Sequence, residues 1–113
     1  GYDTFCPIGP RLIERDDLDP ADVSVVQRLN GRTLQESRTS QLIFSIPELV
    51  AYCSSVVTLD PGDLILTGTP AGVGVFRDPK VTLAAGDIVE IEIDGIGVLR
   101  NEVRVSQEMR ESA

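Results

Sequence analysis

Residues 83–101 read LAAGDIVEIEIDGIGVLRN, and their alternation decides the fold class. Val89, Ile91 and Ile93 share one parity and Glu90 and Glu92 the other, the period-two pattern of a strand packed on one face. Asp94-Gly95 then marks a two-residue hairpin turn, because both positions demand positive φ. That register sets Ile93 against Ile96, Ile91 against Val98 and Val89 against Arg100. Leu99 and Asn101 join the glutamates on the outer, solvated face. The hairpin is entered through Leu83-Ala84-Ala85-Gly86-Asp87, and the same L-x-x-G-D form stands upstream at Leu59-Asp60-Pro61-Gly62-Asp63. Each copy is read as a turn in which Gly supplies backbone freedom before a strand. The strand expected after the first copy is Leu64 to Thr67.

Further upstream, Asn30-Gly31 closes a second hairpin over Val23 to Ser37. Its register places Leu29 opposite Arg32, Gln27 opposite Leu34 and Val25 opposite Glu36, so neither face is cleanly apolar and an edge or interface is expected. Ser45-Ile46-Pro47-Glu48 is a capping box, with Pro tolerated in the first helical turn. Leu49, Val50, Cys53, Val56 and Val57 recur at three- and four-residue spacing, which predicts one amphipathic helix over residues 46–57. Gly1 to Pro10 reads as a loop, Arg11 to Glu14 as a short strand, and Arg15 to Pro20 as a charged turn. The expected architecture is mainly β (α+β), a roll or barrel with a single helix, formed by residues 1–105. Residues 106–113 form a polar tail.

Composition narrows the function. The chain has 113 residues, 42% of them hydrophobic, which suits one globular domain. Its formal net charge of −8 repels a phosphate backbone, so no nucleic-acid partner is expected. No apolar run is long enough to span a bilayer and no leader is read, so a membrane is not expected either. The chain contains no His, which excludes a Ser–His–Asp triad, a Cys–His dyad and a His-ligated zinc site within it. Cys6 and Cys53 fit no metal-binding spacing; one disulfide between them is conceivable, but two free, partly buried thiols in a reducing cytoplasm are expected.

The stretch best suited to chemistry is Leu64-Ile65-Leu66-Thr67-Gly68-Thr69-Pro70-Ala71-Gly72-Val73-Gly74. Glycines let a backbone approach a ligand closely, and a Thr hydroxyl beside free N–H groups can hold a carboxylate or carbonyl oxygen. The alternative is a Gly-rich corner with a purely structural role. It is not a phosphate-binding P-loop, since the Lys-Ser/Thr pair is missing. Arg38, Arg100 and Arg104 could each pair with a substrate carboxylate, and spacing favours none of them. Glu90, Glu92 and Asp94 read as a solvated strand face rather than a cation site.

Tyr2-Asp3-Thr4-Phe5-Cys6-Pro7-Ile8-Gly9-Pro10, Asn30-Gly31, Gln35 to Ser40, Leu42 to Leu49, Leu64 to Gly74 and Gly86 to Asn101 follow one another as in a known family. The chain resembles the fumarylacetoacetate hydrolase family, in the branch of 2-hydroxyhepta-2,4-diene-1,7-dioate isomerases, fumarylpyruvate hydrolases and acylpyruvases. The resemblance covers residues 1–104 and implies the C-terminal half of a catalytic domain. It implies an enzyme acting on small 2-oxo or 2-hydroxy dicarboxylic acids through a metal-bound enolate, in C–C hydrolysis, isomerisation or decarboxylation, as in the breakdown of aromatic compounds.

The resemblance also implies Mg²⁺ or Mn²⁺, held by a Glu-x-Glu pair and an Asp that lie N-terminal to this segment, together with a His–Glu dyad and a Lys. No catalytic residue and no metal ligand is therefore assigned within the chain, which alone is expected to be inactive. Thr4 falls where the family has a Thr beside the metal. Thr69, with Gly68 before it, falls where the family has a Thr contacting the substrate's carboxylate or carbonyl oxygen. Thr4 is accordingly expected on the rim of the cavity that Thr69 lines. A homodimer is implied, with the Val23–Ser37 hairpin as a contact. The competing reading is a non-catalytic β-module of the same fold that serves in assembly.

Overall fold

The computed structural model describes residues 3–105, so Tyr2 and the expected tail at 106–113 lie outside the described residues. The chain order is β1 (Ser24–Leu29), β2 (Arg32–Arg38), α1 (Ile46–Val56), β3 (Ile88–Ile93) and β4 (Gly97–Glu102). The strands form one antiparallel sheet in the order β2-β1-β3-β4. The fold is thus mainly β with one α-helix, as expected. Among the described residues no helix is long and apolar enough to cross a membrane.

Local signals account for most of these elements. Asn30 and Gly31 take φ of 50° and 80°, and Leu29 pairs with Arg32 across them. Ser45 caps α1: its N–H donates to Glu48 Oε2 at 2.7 Å, and the Glu48 N–H donates to Ser45 Oγ at 3.4 Å. The Glu48 carboxyl is held below its ordinary pKa by the Ser45 side-chain bond and then by the Ser45 backbone bond. The two L-x-x-G-D segments fold identically. Asp63 Oδ2 accepts from the Asp60 N–H and Asp87 Oδ2 from the Ala84 N–H, each at 2.8 Å.

Both hairpin registers differ from expectation. Arg28 pairs with Thr33 but Gln27 pairs with Gln35, which leaves Leu34 as an extra residue in β2. Such a bulge sets two residues against one. Val25 therefore faces Ser37, not Glu36. In the other hairpin three residues, not two, lie outside the pairing: Ile93 meets Gly97, and the turn is closed by the Ile96 N–H to the Ile93 carbonyl at 3.0 Å. One extra turn residue moves every β4 side chain to the other face. Ile91 meets Leu99, while Val98 sits opposite Glu92 and is 43% exposed.

The sheet consequently has two unlike faces. Val25, Leu29, Val89, Ile91, Ile93 and Leu99 share one with Gln27, Gln35 and Ser37. The other carries the charges. Arg28 Nη1 donates to Glu92 Oε2 at 2.6 Å, and Arg100 Nε lies 3.6 Å from Glu90 Oε1. Glu90 and Glu92 are therefore half-buried and paired rather than fully solvated.

Two expected strands are absent. Residues 11–14 and 64–67 form no regular element and find no strand partner among the described residues. Little is closed over, either. Among the described residues only Val23 is a buried hydrophobic, whereas Leu12 is 94% exposed, Ile43 90% and Phe76 87%. On α1, Ile46, Leu49 and Cys53 are half-buried, but Val50 and Val56 face outward. Cys6 and Cys53 form no disulfide.

Candidate functional site

The glycine-rich loop begins where the first L-x-x-G-D turn ends and runs without regular structure through Thr67, with φ positive at Gly68 (117°) and Gly72 (106°). It lies against β2, where two side chains hold it. Gln35 Nε2 donates to the Pro70 carbonyl at 2.6 Å and to Thr69 Oγ1 at 2.9 Å. Arg77 Nε donates to the Gly72 carbonyl at 2.8 Å, while its Nη2 donates to the carbonyl of Leu34, the bulge residue. Gly72 is needed for this close approach, since a Cβ there would collide with the Leu34 carbonyl. Neither Gln35 nor Arg77 stood out in the sequence, because Gln35 reaches 34 and 35 positions along the chain and Arg77 joins nearby Gly72 to Leu34, 43 positions away. Position 35 falls inside a stretch that carries the family resemblance, and that was the one available signal.

A cleft of about 390 Å³ opens beside the tethered loop. Thr67, Gly68, Thr69 and Pro70 line one part of it, and residues 37–39 and 41–44 line another, with Val25 and Leu49 completing the wall. Thr69 and Gly68 thus belong to a concave surface. Thr4 does not line it; it sits exposed in the N-terminal loop with a φ of 67°.

Among the three arginines, position now separates what spacing could not. Arg38 borders the cleft, whereas Arg100 and Arg104 do not. Arg38 Nε donates to Asp22 Oδ1 at 2.7 Å and its Nη2 to the Asp22 carbonyl at 2.9 Å. The Asp22 carboxyl is held below its ordinary pKa by the hydrogen bond from Arg38 and then by that from Ser40. Arg38 is raised by the same Asp22 bond. Arg104 Nη2 donates to Glu102 Oε2 at 3.1 Å, and Arg100 pairs on the charged face of the sheet.

The described residues do not fit a metal site. Among them no group of three or more Cys, Asp or Glu side chains could hold an ion. Three of the acids are already engaged: Glu92 by Arg28, Glu90 by Arg100, and Asp87 by Asn30 Nδ2 at 2.8 Å.

Residues 1–104 match the family model described as fumarylacetoacetate (FAA) hydrolase C-terminal. The mitochondrial oxaloacetate tautomerase FAHD2A of Bos taurus is 50% identical over 103 residues, covering 90% of this chain and 33% of its own length. A fumarylacetoacetate hydrolase from Exiguobacterium antarcticum superposes with a TM-score of 0.90 at 42% identity, covering 93% of this chain and 38% of that one. A maleylpyruvate hydrolase from Sphingobium sp. SYK-6, in complex with manganese(II) and pyruvate, superposes at 0.84 with 39% identity, covering 94% and 38%. The chain thus spans 33% to 38% of these three proteins' lengths. Over nearly all its residues, this chain belongs to the fumarylacetoacetate hydrolase family and corresponds to its C-terminal part.

Proposed function

We propose that the chain supplies a substrate-binding wall in an enzyme acting on small 2-oxo or 2-hydroxy dicarboxylic acids, by C–C hydrolysis or by isomerisation. The observation that carries this reading is the placing of Thr69 and Gly68 in a cleft whose glycine-rich side is tied to the sheet. Thr69 Oγ1 presents a hydroxyl donor to a carboxylate or carbonyl oxygen, and Gly68 leaves room for it. A donor held in advance need not be ordered when substrate arrives, which is how fixed dipoles favour a bound anion. Arg38 borders the same cleft, but its guanidinium is paired with Asp22, so Thr69 rather than Arg38 carries the reading. The Mg²⁺ or Mn²⁺ that the family implies, and the enolate chemistry it supports, fall to residues outside this chain. Thr4 is proposed to lie beside that metal in the whole protein.

Substitution of Thr69 tests the reading. In the full-length protein Thr69→Val keeps the volume and removes the hydroxyl. It should lower kcat/KM for oxaloacetate or maleylpyruvate by about one to two orders of magnitude with Tm nearly unchanged, since one charge-assisted hydrogen bond contributes about 1.5–3 kcal/mol. Unchanged kinetics with a lowered Tm would make Thr69 a structural residue.

The second reading, a non-catalytic module for assembly, draws on the number of exposed apolar side chains, Leu12, Ile43 and Phe76 among them. A homodimer is compatible with either reading, with β2 as the outer strand of the sheet available for contact. Turnover of either acid by the full-length protein separates the two.

A further inference from the structure

We infer that Gln35 is a positioning residue that fixes Thr69 Oγ1 and turns its hydrogen toward the ligand, so that the cleft prefers ligands presenting an acceptor oxygen at this point. The inference rests on the proposed role of Thr69. Its starting point is Pro70, whose carbonyl oxygen can only accept. The Gln35 amide group within 2.6 Å of it must therefore be the NH₂ and not the oxygen. With the amide orientation fixed, the second hydrogen of the same nitrogen goes to Thr69 Oγ1 at 2.9 Å.

A hydroxyl has one hydrogen and two lone pairs. The Gln35 contact occupies a lone pair and forbids the Thr69 hydrogen from pointing at Gln35. No other hydrogen bond engages Thr69 Oγ1 among the described residues. The hydrogen is left to a ligand, and a carboxylate or keto oxygen can take it. An amide NH₂ or ammonium in the same place would have to use the remaining lone pair of an oxygen that already accepts from Gln35, a weaker match than an acceptor oxygen taking the hydrogen.

Bulge, glutamine and threonine form one chain of cause. The extra residue at Leu34 brings Gln35 opposite Gln27, on the sheet face shared with Val25 and Ile91. Arg77 holds the loop from its other end, at Gly72. Strand pairing thus holds position 35 and the Arg77 side chain holds the loop, and the Gln35–Thr69 contact joins these two held segments.

The test compares oxaloacetate with its 4-amide, 2-oxosuccinamate, as substrates of the full-length protein. Gln35→Met removes the donor at similar length. It should raise KM for oxaloacetate about tenfold with little change in kcat, and narrow the preference for the acid over the amide. In the Thr69→Val background the same substitution should change neither KM nor the preference, because there is no hydroxyl left to orient. Gln35→Glu, which can only accept, should turn the Thr69 hydrogen toward itself and shift the preference further toward the amide. Repulsion by the new charge would persist with Val at position 69, whereas reorientation would not.

Additive effects of Gln35→Met and Thr69→Val, or equal losses for both substrates, would overturn the inference while leaving Thr69 in place as a ligand contact. A kinetically silent Thr69→Val would instead overturn the proposed function itself. If a Gln35 variant fails to fold, Gln35→Glu and Gln35→Met serve as replacements for one another in the cycle, and loss of both means that Gln35 acts structurally.

Discussion

The Leu34 carbonyl accepts a hydrogen bond from the Arg77 guanidinium, so the bulged residue of β2 is bonded to a side chain 43 positions downstream. The same guanidinium holds Gly72, and a Cβ at Gly72 would meet both that Leu34 carbonyl and the Arg77 side chain. Strand, loop and arginine therefore meet at one point with no room for a methyl group.

Gly72→Ala should consequently destabilise the full-length protein by about 1–3 kcal/mol, combining a positive φ with the collision. Arg77→Lys should cost less, since a lysine keeps the charge but cannot serve two carbonyls from a fixed fork. Thermal denaturation ranks them. A Gly72→Ala variant as stable as wild type would mean that the loop does not lie against β2.

The register of the second hairpin separates Leu99 from Val98. Leu99 shares the apolar face with Ile91, and Val98 is opposite Glu92. Leu99→Ala should cost about 1–3 kcal/mol by transfer and cavity terms, and Val98→Ala about 0.5 or less. The reverse order in urea denaturation would restore the two-residue turn.

Acid should loosen the junction between the two hairpins. The Asp87 carboxyl lies below its ordinary pKa, chiefly through the Ala84 N–H and then through Asn30 Nδ2. A carboxyl depressed on folding contributes stability that is present above its unfolded pKa and lost as pH falls through the folded one. Stability measured downward from about pH 5 should therefore decline less steeply in Asp87→Asn than in wild type. Parallel curves would show that the Asp87 bonds do not persist in solution.

Metal binding gives a fourth check. Calorimetric titration of the 113-residue chain with Mn²⁺ or Mg²⁺ should show no stoichiometric uptake. Tight uptake would place a metal site among residues now occupied by ion pairs.

Much of this was legible where the determinants are local. Ser45 and Glu48 lie within one helical turn, and Asn30-Gly31 and Gly86-Asp87 carry their own turn chemistry. Alternation likewise assigned Val89, Ile91 and Ile93 to one face. What misled was Asp94-Gly95, which suits a two-residue turn; nothing nearby signals that Ile96 is also left out of the pairing. The bulge at Leu34 has no local mark either, because it depends on which residue of β1 is opposite. Thr69 was singled out by glycine spacing and family resemblance, while its partner Gln35 depends on a contact spanning 34 positions. The stretch 64–67 has the composition of a strand but no strand partner among the described residues to make it one.

With Val23 as the one buried hydrophobic among the described residues, the sheet and helix keep little apolar area away from water. Amides of β1 to β4 should then exchange with solvent at rates governed less by their own ladder bonds than by how firmly the open apolar surface is covered. Hydrogen exchange along this stretch would thus read the attachment of its cover, and a lost contact there would register as faster exchange throughout the sheet.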